Sequence, residues 1–132
     1  MKTIKDIVHN EQYIKSQGYK IENNVIKGVD INIIAHFGNI PCLTIMCENI
    51  YPYCNYNNMR GLGYLLKGFV EFFEKDREDG VMLSSIKNIP CRLVMNGNRA
   101  YGIGHFMKDK FILFEDFSQL GTDHSEKGGE QE

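Results

Sequence analysis

The 132-residue chain has no tryptophan, only three prolines, and no apolar run near the roughly 18 residues that span a bilayer. It also lacks an excess of either charge. Fifteen Lys and Arg against 17 Asp and Glu leave a net charge of −2, which argues against bulk electrostatic binding of duplex DNA. There is no phosphate loop of the G-x-x-x-x-G-K-[ST] type, no H-E-x-x-H and no G-x-S-x-G. The four cysteines, Cys42, Cys47, Cys54 and Cys91, form no C-x-x-C pair and no zinc-ribbon spacing. They read as reduced, buried small hydrophobes, and Cys42 and Cys47, five apart on one strand, should face opposite ways. A metal site drawing on His36 or His105 lacks converging thiolates, so no metal and no cofactor are expected. Met1 to Asp6 leads into no signal-peptide core, and the expected location is the cytoplasm.

What is present is an ordinary globular mixture, 42% hydrophobic and 24% charged, of a size that buries enough surface to fold without disulfides. The expected organisation is one α+β domain over residues 1–120 and a disordered acidic tail over 121–132. Ile4, Ile7, Val8 and Ile14 recur at helical spacing, which predicts a short helix from Thr3 to about Ser16, with Thr3 as cap and Asp6 in the first turn. From Tyr19 to Glu48 the period changes to that of two or three antiparallel strands, with turns at Asn23-Asn24 and Phe37-Gly38-Asn39. Met59, Leu62, Leu66, Phe69 and Phe73 step by three and four residues, so a long amphipathic helix should run from about Met59 to Lys75. Gly61, Gly63 and Gly68 on it suggest close backbone approach, to a strand or a second subunit, and Asp76 to Gly80 supply its stop. After a connector, Cys91–Met95 and Arg99–His105 form a hairpin about Asn96-Gly97, and Phe111–Phe114 a last strand. The predicted fold is therefore a small antiparallel sheet covered by one long amphipathic helix and a short N-terminal helix.

Two stretches could carry binding. The segment Tyr51-Pro52-Tyr53-Cys54-Asn55-Tyr56-Asn57-Asn58 reads as a loop that is aromatic and polar together. Its rings either cover the sheet edge or offer Tyr53 and Tyr56 to a ligand, as stacking area beside adaptable hydrogen bonds. Arg60 follows it, and Arg92 opens a strand; arginine forks suit phosphate or carboxylate. The second stretch is Tyr101 to Lys110. Its Gly102 and Gly104 mark a bulge or a close approach, His105 and Asp109 could form an oriented acid–base pair, and Lys108 and Lys110 could meet an anion. The Gly-x-Gly is no dinucleotide fingerprint, because no helix follows it. An internal echo, Asn39-Ile40-Pro41-Cys42 with Met46 against Asn88-Ile89-Pro90-Cys91 with Met95, is read as independent use of proline at strand starts.

His36-Phe37-Gly38, Tyr53-Cys54, Gly63 to Phe73, Gly80-Val81, and Ile103-Gly104-His105 with Lys108-Asp109-Lys110-Phe111 together resemble a family of small phage and prophage proteins of unknown activity. The resemblance spans about residues 25–115 and is most specific at its last motif, where Phe111 stands in place of a frequent tryptophan. It implies a mobile-element origin and residence in a host cytoplasm. Small phage accessory proteins commonly act by binding, and no catalytic residues are assigned. The expected function is counteracting host defence, by blocking a host immune protein or by sequestering a nucleotide second messenger. For either, Tyr53, Tyr56, Arg60, Arg92, His105, Lys108 and Asp109 are the candidate ligand-binding residues. A homo-oligomer is compatible with the glycine-rich surfaces; membrane and duplex DNA are not expected partners. The alternative is a small hydrolase or nuclease using His105 and Asp109.

Overall fold

The structure, a computed structural model, describes residues 2–34, 40–54, 59–74 and 83–121. It is α+β, built on one antiparallel sheet of seven strands in the order β1-β7-β6-β5-β2-β3-β4. These are β1 (Val8–His9), β2 (Lys20–Ile34), β3 (Ile40–Cys47), β4 (Ile50–Cys54), β5 (Ile89–Asn96), β6 (Arg99–His105) and β7 (Phe111–Leu113). Among the described residues the helices are α1 (Glu11–Ser16) and α2 (Met59–Phe72), with 3₁₀ turns at Ile4–Ile7, Leu83–Ile86 and Phe114–Gln119. Among the described residues no helix is long and apolar enough to cross a membrane.

The sheet is larger than the small one expected, and each difference has a physical cause. The single N-terminal helix is replaced by a 3₁₀ turn, a strand and a short helix. Asp6 accepts from the Thr3 N–H at 2.8 Å and closes the first turn. Val8 and His9 then pair with Ile112 and Phe111, adding a ladder at the sheet edge. Asn10 starts α1 by accepting from the Tyr13 N–H at 2.8 Å. Asn23-Asn24 is no turn but the middle of β2. The Asn24 amide is occupied across the sheet, its Oδ1 accepting from the Glu48 N–H at 3.0 Å and its Nδ2 donating to the Glu48 carbonyl. The expected loop at Tyr51 and Tyr53 is strand β4, with Ile45 opposite Tyr53 and Cys47 opposite Ile50. Asn49, in left-handed backbone at φ 64°, closes the tight turn that brings it back. In the β5–β6 hairpin the turn lies one residue later than expected, at Gly97-Asn98, with Gly97 at φ 63°. Helix α2 ends at Phe72, and β7 at Leu113. Gly121, expected to open the tail, is buried and donates its N–H to the Lys2 carbonyl at 2.9 Å. The turn at Phe37–Asn39, Tyr56 and its neighbours, the stop at 76–80 and the tail over 122–132 lie outside the described residues.

One main core joins α2 to a face of the sheet. Leu62, Leu65, Phe69, Phe72 and Phe73 cluster with Ile26, Leu43, Ile45, Leu93 and Ile103, and with Ile4, Ile7 and Phe117. A smaller cluster on the other face holds Ile14 of α1 with Val94, Phe111 and Leu113. Cys47 and Cys91 are buried in the main core, whereas Cys42 is half-buried, so Cys42 and Cys47 do face opposite sides of β3. The Asn-Ile-Pro-Cys echo maps to the starts of β3 and β5, which flank β2. In each the proline has a ladder on the β2 side alone among the described residues, so its missing N–H breaks nothing.

The glycines of α2 differ in what surrounds them. A Cβ on Gly68 would meet the Ile4 side chain at 2.5 Å, because the Ile4–Ile7 turn lies against the helix there; a Cβ on Gly63 would meet nothing within 4 Å. Gly68→Ala should therefore lower stability by about 1–3 kcal/mol. Gly63→Ala should raise it by about 0.5–1 kcal/mol through helix propensity. Urea denaturation of the two variants checks both signs.

Candidate functional site

Four of the seven candidate residues converge around the turn between β6 and β7, and they converge on one another. The turn is closed by the His105 N–H on the Lys110 carbonyl at 3.0 Å and the Lys110 N–H on the Lys108 carbonyl at 2.9 Å. Arg92, from the neighbouring strand, grips it with three separate donors. Its Nε donates to the His105 carbonyl at 2.9 Å, its Nη2 to the Lys108 carbonyl at 2.8 Å, and its Nη1 to Glu11 Oε1 at 3.3 Å. The guanidinium also lies 4.5 Å from the centroid of the Phe111 ring. That ring occupies the space where Gly104 lacks a side chain. The close approach expected of the Gly-x-Gly is thus met by Phe111 at Gly104 and by the Ile112 carbonyl at Gly102. With its side chain only 18% exposed and its fork filled, Arg92 is a clamp between β6, the turn and α1.

Asp109 is likewise engaged. Its Oδ1 accepts from the Glu11 N–H at 2.5 Å, at the first turn of α1. It does not pair with His105, so the expected acid–base couple is not assembled. His105 instead turns Nδ1 toward the backbone, accepting from the Met107 and Lys108 N–H groups at 3.0 and 3.2 Å. Its Nε2 faces Glu74 at 3.6 Å, and its ring stacks near Phe73. Glu74 also meets Lys108 at 2.6 Å and Lys110 at 3.5 Å. Glu74 sits just past α2 with φ 60°, a left-handed conformation unusual for a residue with a Cβ. Sequence reasoning missed Glu74 because its partners are more than thirty residues away. It also missed His9, whose Nε2 lies 3.1 Å from Asp116 Oδ2 and whose ring stacks on Tyr13 at 4.2 Å. No sequence signal links positions 9 and 116.

The other candidates lie elsewhere. Tyr53 is half-buried, its ring 5.3 Å from Phe114 and 5.1 Å from Phe117, so it packs on the core side of β4. Arg60 is exposed at the start of α2, roughly 20 Å along that helix from Glu74 at 1.5 Å per residue. The two arginines therefore lie toward opposite ends of α2, Arg92 through the Lys108 turn that meets Glu74. Among the described residues no group of three or more His, Cys, Asp or Glu could hold a metal.

Two clefts lie where the N-terminal segment crosses α2. A cleft of about 290 Å³ is lined by Ile4, Lys5, Val8, Glu71, Phe72 and Lys110. On the other side of Ile4 and Lys5, a second cleft of about 220 Å³ takes in Tyr64, Lys67 and Gly68. Three lysines thus border a mostly apolar floor. No family model matches the chain, and no curated protein and no solved structure matches it either.

Two predictions follow from the clamp and its turn. Arg92→Lys keeps the charge but cannot reach three acceptors at once, and should cost about 2–3 kcal/mol in urea denaturation. Amide exchange at Lys108 and Lys110 should quicken in the same variant. The second concerns pH. Burial, and then the charge of Lys110, hold the His105 imidazole below its usual 6.5, against the opposing pull of Glu74. The folded state therefore favours neutral His105, and its contribution is complete above about pH 6.5 and is lost as pH falls through the lower folded value. The melting midpoint should fall as pH drops from about 7 to about 5, and His105→Gln should flatten that slope.

Proposed function

We propose that this protein acts by holding a partner, as a phage or prophage accessory protein that counters host defence in the host cytoplasm by blocking a host immune protein. The mobile-element origin rests on the resemblance over residues 25–115. The binding mode rests on one observation: the paired clefts beside Ile4 and Lys5, where Lys5, Lys67 and Lys110, against the one carboxylate of Glu71 shared by both clefts, border a floor of Ile4, Val8, Tyr64 and Phe72. Such a surface suits a partner segment that presents an apolar side chain between carboxylates. In this reading α2 is the long cover of the sheet and also the wall on which the partner sits.

Capture of a nucleotide signal has less support. It needs tyrosine rings and arginine forks on one ligand, whereas Arg60 and Arg92 lie toward opposite ends of α2 and each nitrogen of the Arg92 fork already donates within the protein. Hydrolysis by His105 and Asp109 has less still, since each makes its hydrogen bonds to other groups.

The test is phage plating on bacterial strains that each carry one defined defence system. Expression of the wild type should restore plating on at least one strain. Lys5→Glu with Lys67→Glu should lose that effect while keeping the circular dichroism spectrum and melting midpoint. Unchanged plating on every strain counts against the proposal, as does a charge-reversed variant that works as well as wild type. Calorimetry with cyclic oligonucleotides and ADP-ribose derivatives distinguishes the nucleotide reading, which predicts heat on mixing.

A further inference from the structure

The two outer strands of the sheet are protected against pairing. Strand β1 is two residues long, and β4 carries Pro52, which has no N–H to offer. A third edge lies inside the strand order. The first part of β2, Lys20 to Ile26, pairs with β5, and the later part, Ile26 to Ile34, with β3. Strand β5 begins at Ile89, opposite Ile26, and the Asn88 N–H donates to the Ile26 carbonyl at 2.6 Å. Beyond that point, Gly28 to Ile34 have a ladder on one side only among the described residues.

This edge has no proline, lysine or bulge after Lys27. The bulge between Ile26 and Gly28 resets the alternation, so Ile26 and Val29 both point into the core. Val29, Ile31 and Ile33 then share one face, opposite Ile45, Leu43 and Pro41 of β3. Their exposure rises from 9% to 40% to 61%, so an apolar stripe leaves the core and runs out along the edge that has no second ladder among the described residues. Asp30 and Asn32 occupy the other face, both exposed.

We propose that the Gly28–Ile34 edge of β2 pairs with the same edge of a second copy of this chain. The strands run antiparallel across a two-fold axis at Ile31 and join two sheets into one. The occupant is argued from self-complementarity. A two-fold axis normal to the sheet keeps each face on its own side, so a pairing register can shift only in steps that preserve the alternation. With the axis at Ile31, Ile31 meets its own copy, Val29 meets the partner's Ile33, and Asp30 meets the partner's Asn32. The apolar stripe is then continuous, and each carboxylate faces an amide. Moving the axis to Asp30 sets two carboxylates face to face. Moving it to Asn32 aligns Asp30 with Ile34. The contact is small, which places the dimer in the weak class. The proposal is independent of the partner-binding clefts, which lie on α2 and the N-terminal segment.

Sedimentation equilibrium tests it. The weight-average mass should rise from 15.2 kDa toward twice that value over about 1–300 µM. Ile31→Lys and Ile33→Lys should stay monomeric with unchanged circular dichroism. Asn32→Asp, which sets carboxylates opposite Asp30 twice per dimer, should raise the dissociation constant about tenfold, and Asn32→Lys should lower it. For register, Ile31→Cys should give a covalent dimer under mild oxidation, because directly opposed Cα atoms stand about 4.5–5.5 Å apart. Ile33→Cys, facing the partner's Val29, should not crosslink above the wild-type background. A monomer throughout the range overturns the proposal. So does a dimer that survives Ile31→Lys, or crosslinking of Ile33→Cys as efficient as that of Ile31→Cys. Should a lysine variant unfold, Asn32→Asp and the two cysteine variants read the same contact.

Discussion

The Arg92 guanidinium is the interaction on which the C-terminal half of the molecule depends. Its donors fix the carbonyls of His105 and Lys108, and its face lies on Phe111, so one side chain spans β5, β6, the following turn and β7. Its third contact, to Glu11, brings in α1, and Asp109 returns a hydrogen bond to the Glu11 N–H. An arginine can do this where a lysine cannot, because the fork is planar and its donors point in fixed, separate directions. The absence of a side chain at Gly104 is the complementary requirement. It leaves room for Phe111 to lie flat over β6 and to present a π-face to the cation.

Once the turn is held this way, its charges face α2. His105, Lys108 and Lys110 all approach the Glu74 carboxylate, and Lys110 also lies over the Phe72 ring at 4.9 Å. Bonding to Lys108 holds the Glu74 carboxyl below the usual carboxylate range. The end of α2 is thereby tied to the far side of the sheet by groups the sequence offers as ligand contacts. This explains how a cluster of His, Lys and Asp can be dense in sequence and yet structural. Each polar group was satisfied by another member of the cluster or by backbone. The clefts beside Ile4 draw their cations from other elements, Lys5 and Lys67, with Lys110 shared between cleft and turn.

What could be read from the sequence follows the range of the interaction. The α2 stripe and the β5–β6 hairpin are encoded within a few residues, by apolar steps of three and four and by a glycine turn, and both form, the helix ending at Phe72 and the turn shifted by one residue. The helix reading failed at Val8 and His9 because their preference was decided by the vacant edge of β7, a partner a hundred residues away. Asn23-Asn24 looked like a turn because asparagine often satisfies its own backbone. Here the Asn24 Oδ1 does accept from the adjacent Val25 N–H, but the amide also bonds the Glu48 backbone across the sheet, and the strand runs through. For the site, composition located the turn at 105–110 but not its wiring. Glu74 and Glu11 carry no local signal, and without them the roles of Arg92, Lys108 and Asp109 cannot be assigned.

The stagger of the sheet gives the last element of the architecture. Strands β3 and β5 both enter with Ile-Pro-Cys and both pair with β2, but β3 begins eight residues further along β2 than β5 does. Proline at the second position of each strand suits a ladder on one side and rules out one on the other. The long β2 is therefore shared end to end by two neighbours that start at different heights, and the sheet cannot be a flush rectangle. Among the described residues only Ile26 has a ladder on both flanks; Lys20 to Val25 pair on the β5 side and Gly28 to Ile34 on the β3 side. The two outer strands are shielded by shortness and by proline, whereas the Gly28–Ile34 flank is lined with isoleucine and, among the described residues, is left without a second ladder by the offset between the two Ile-Pro-Cys strands.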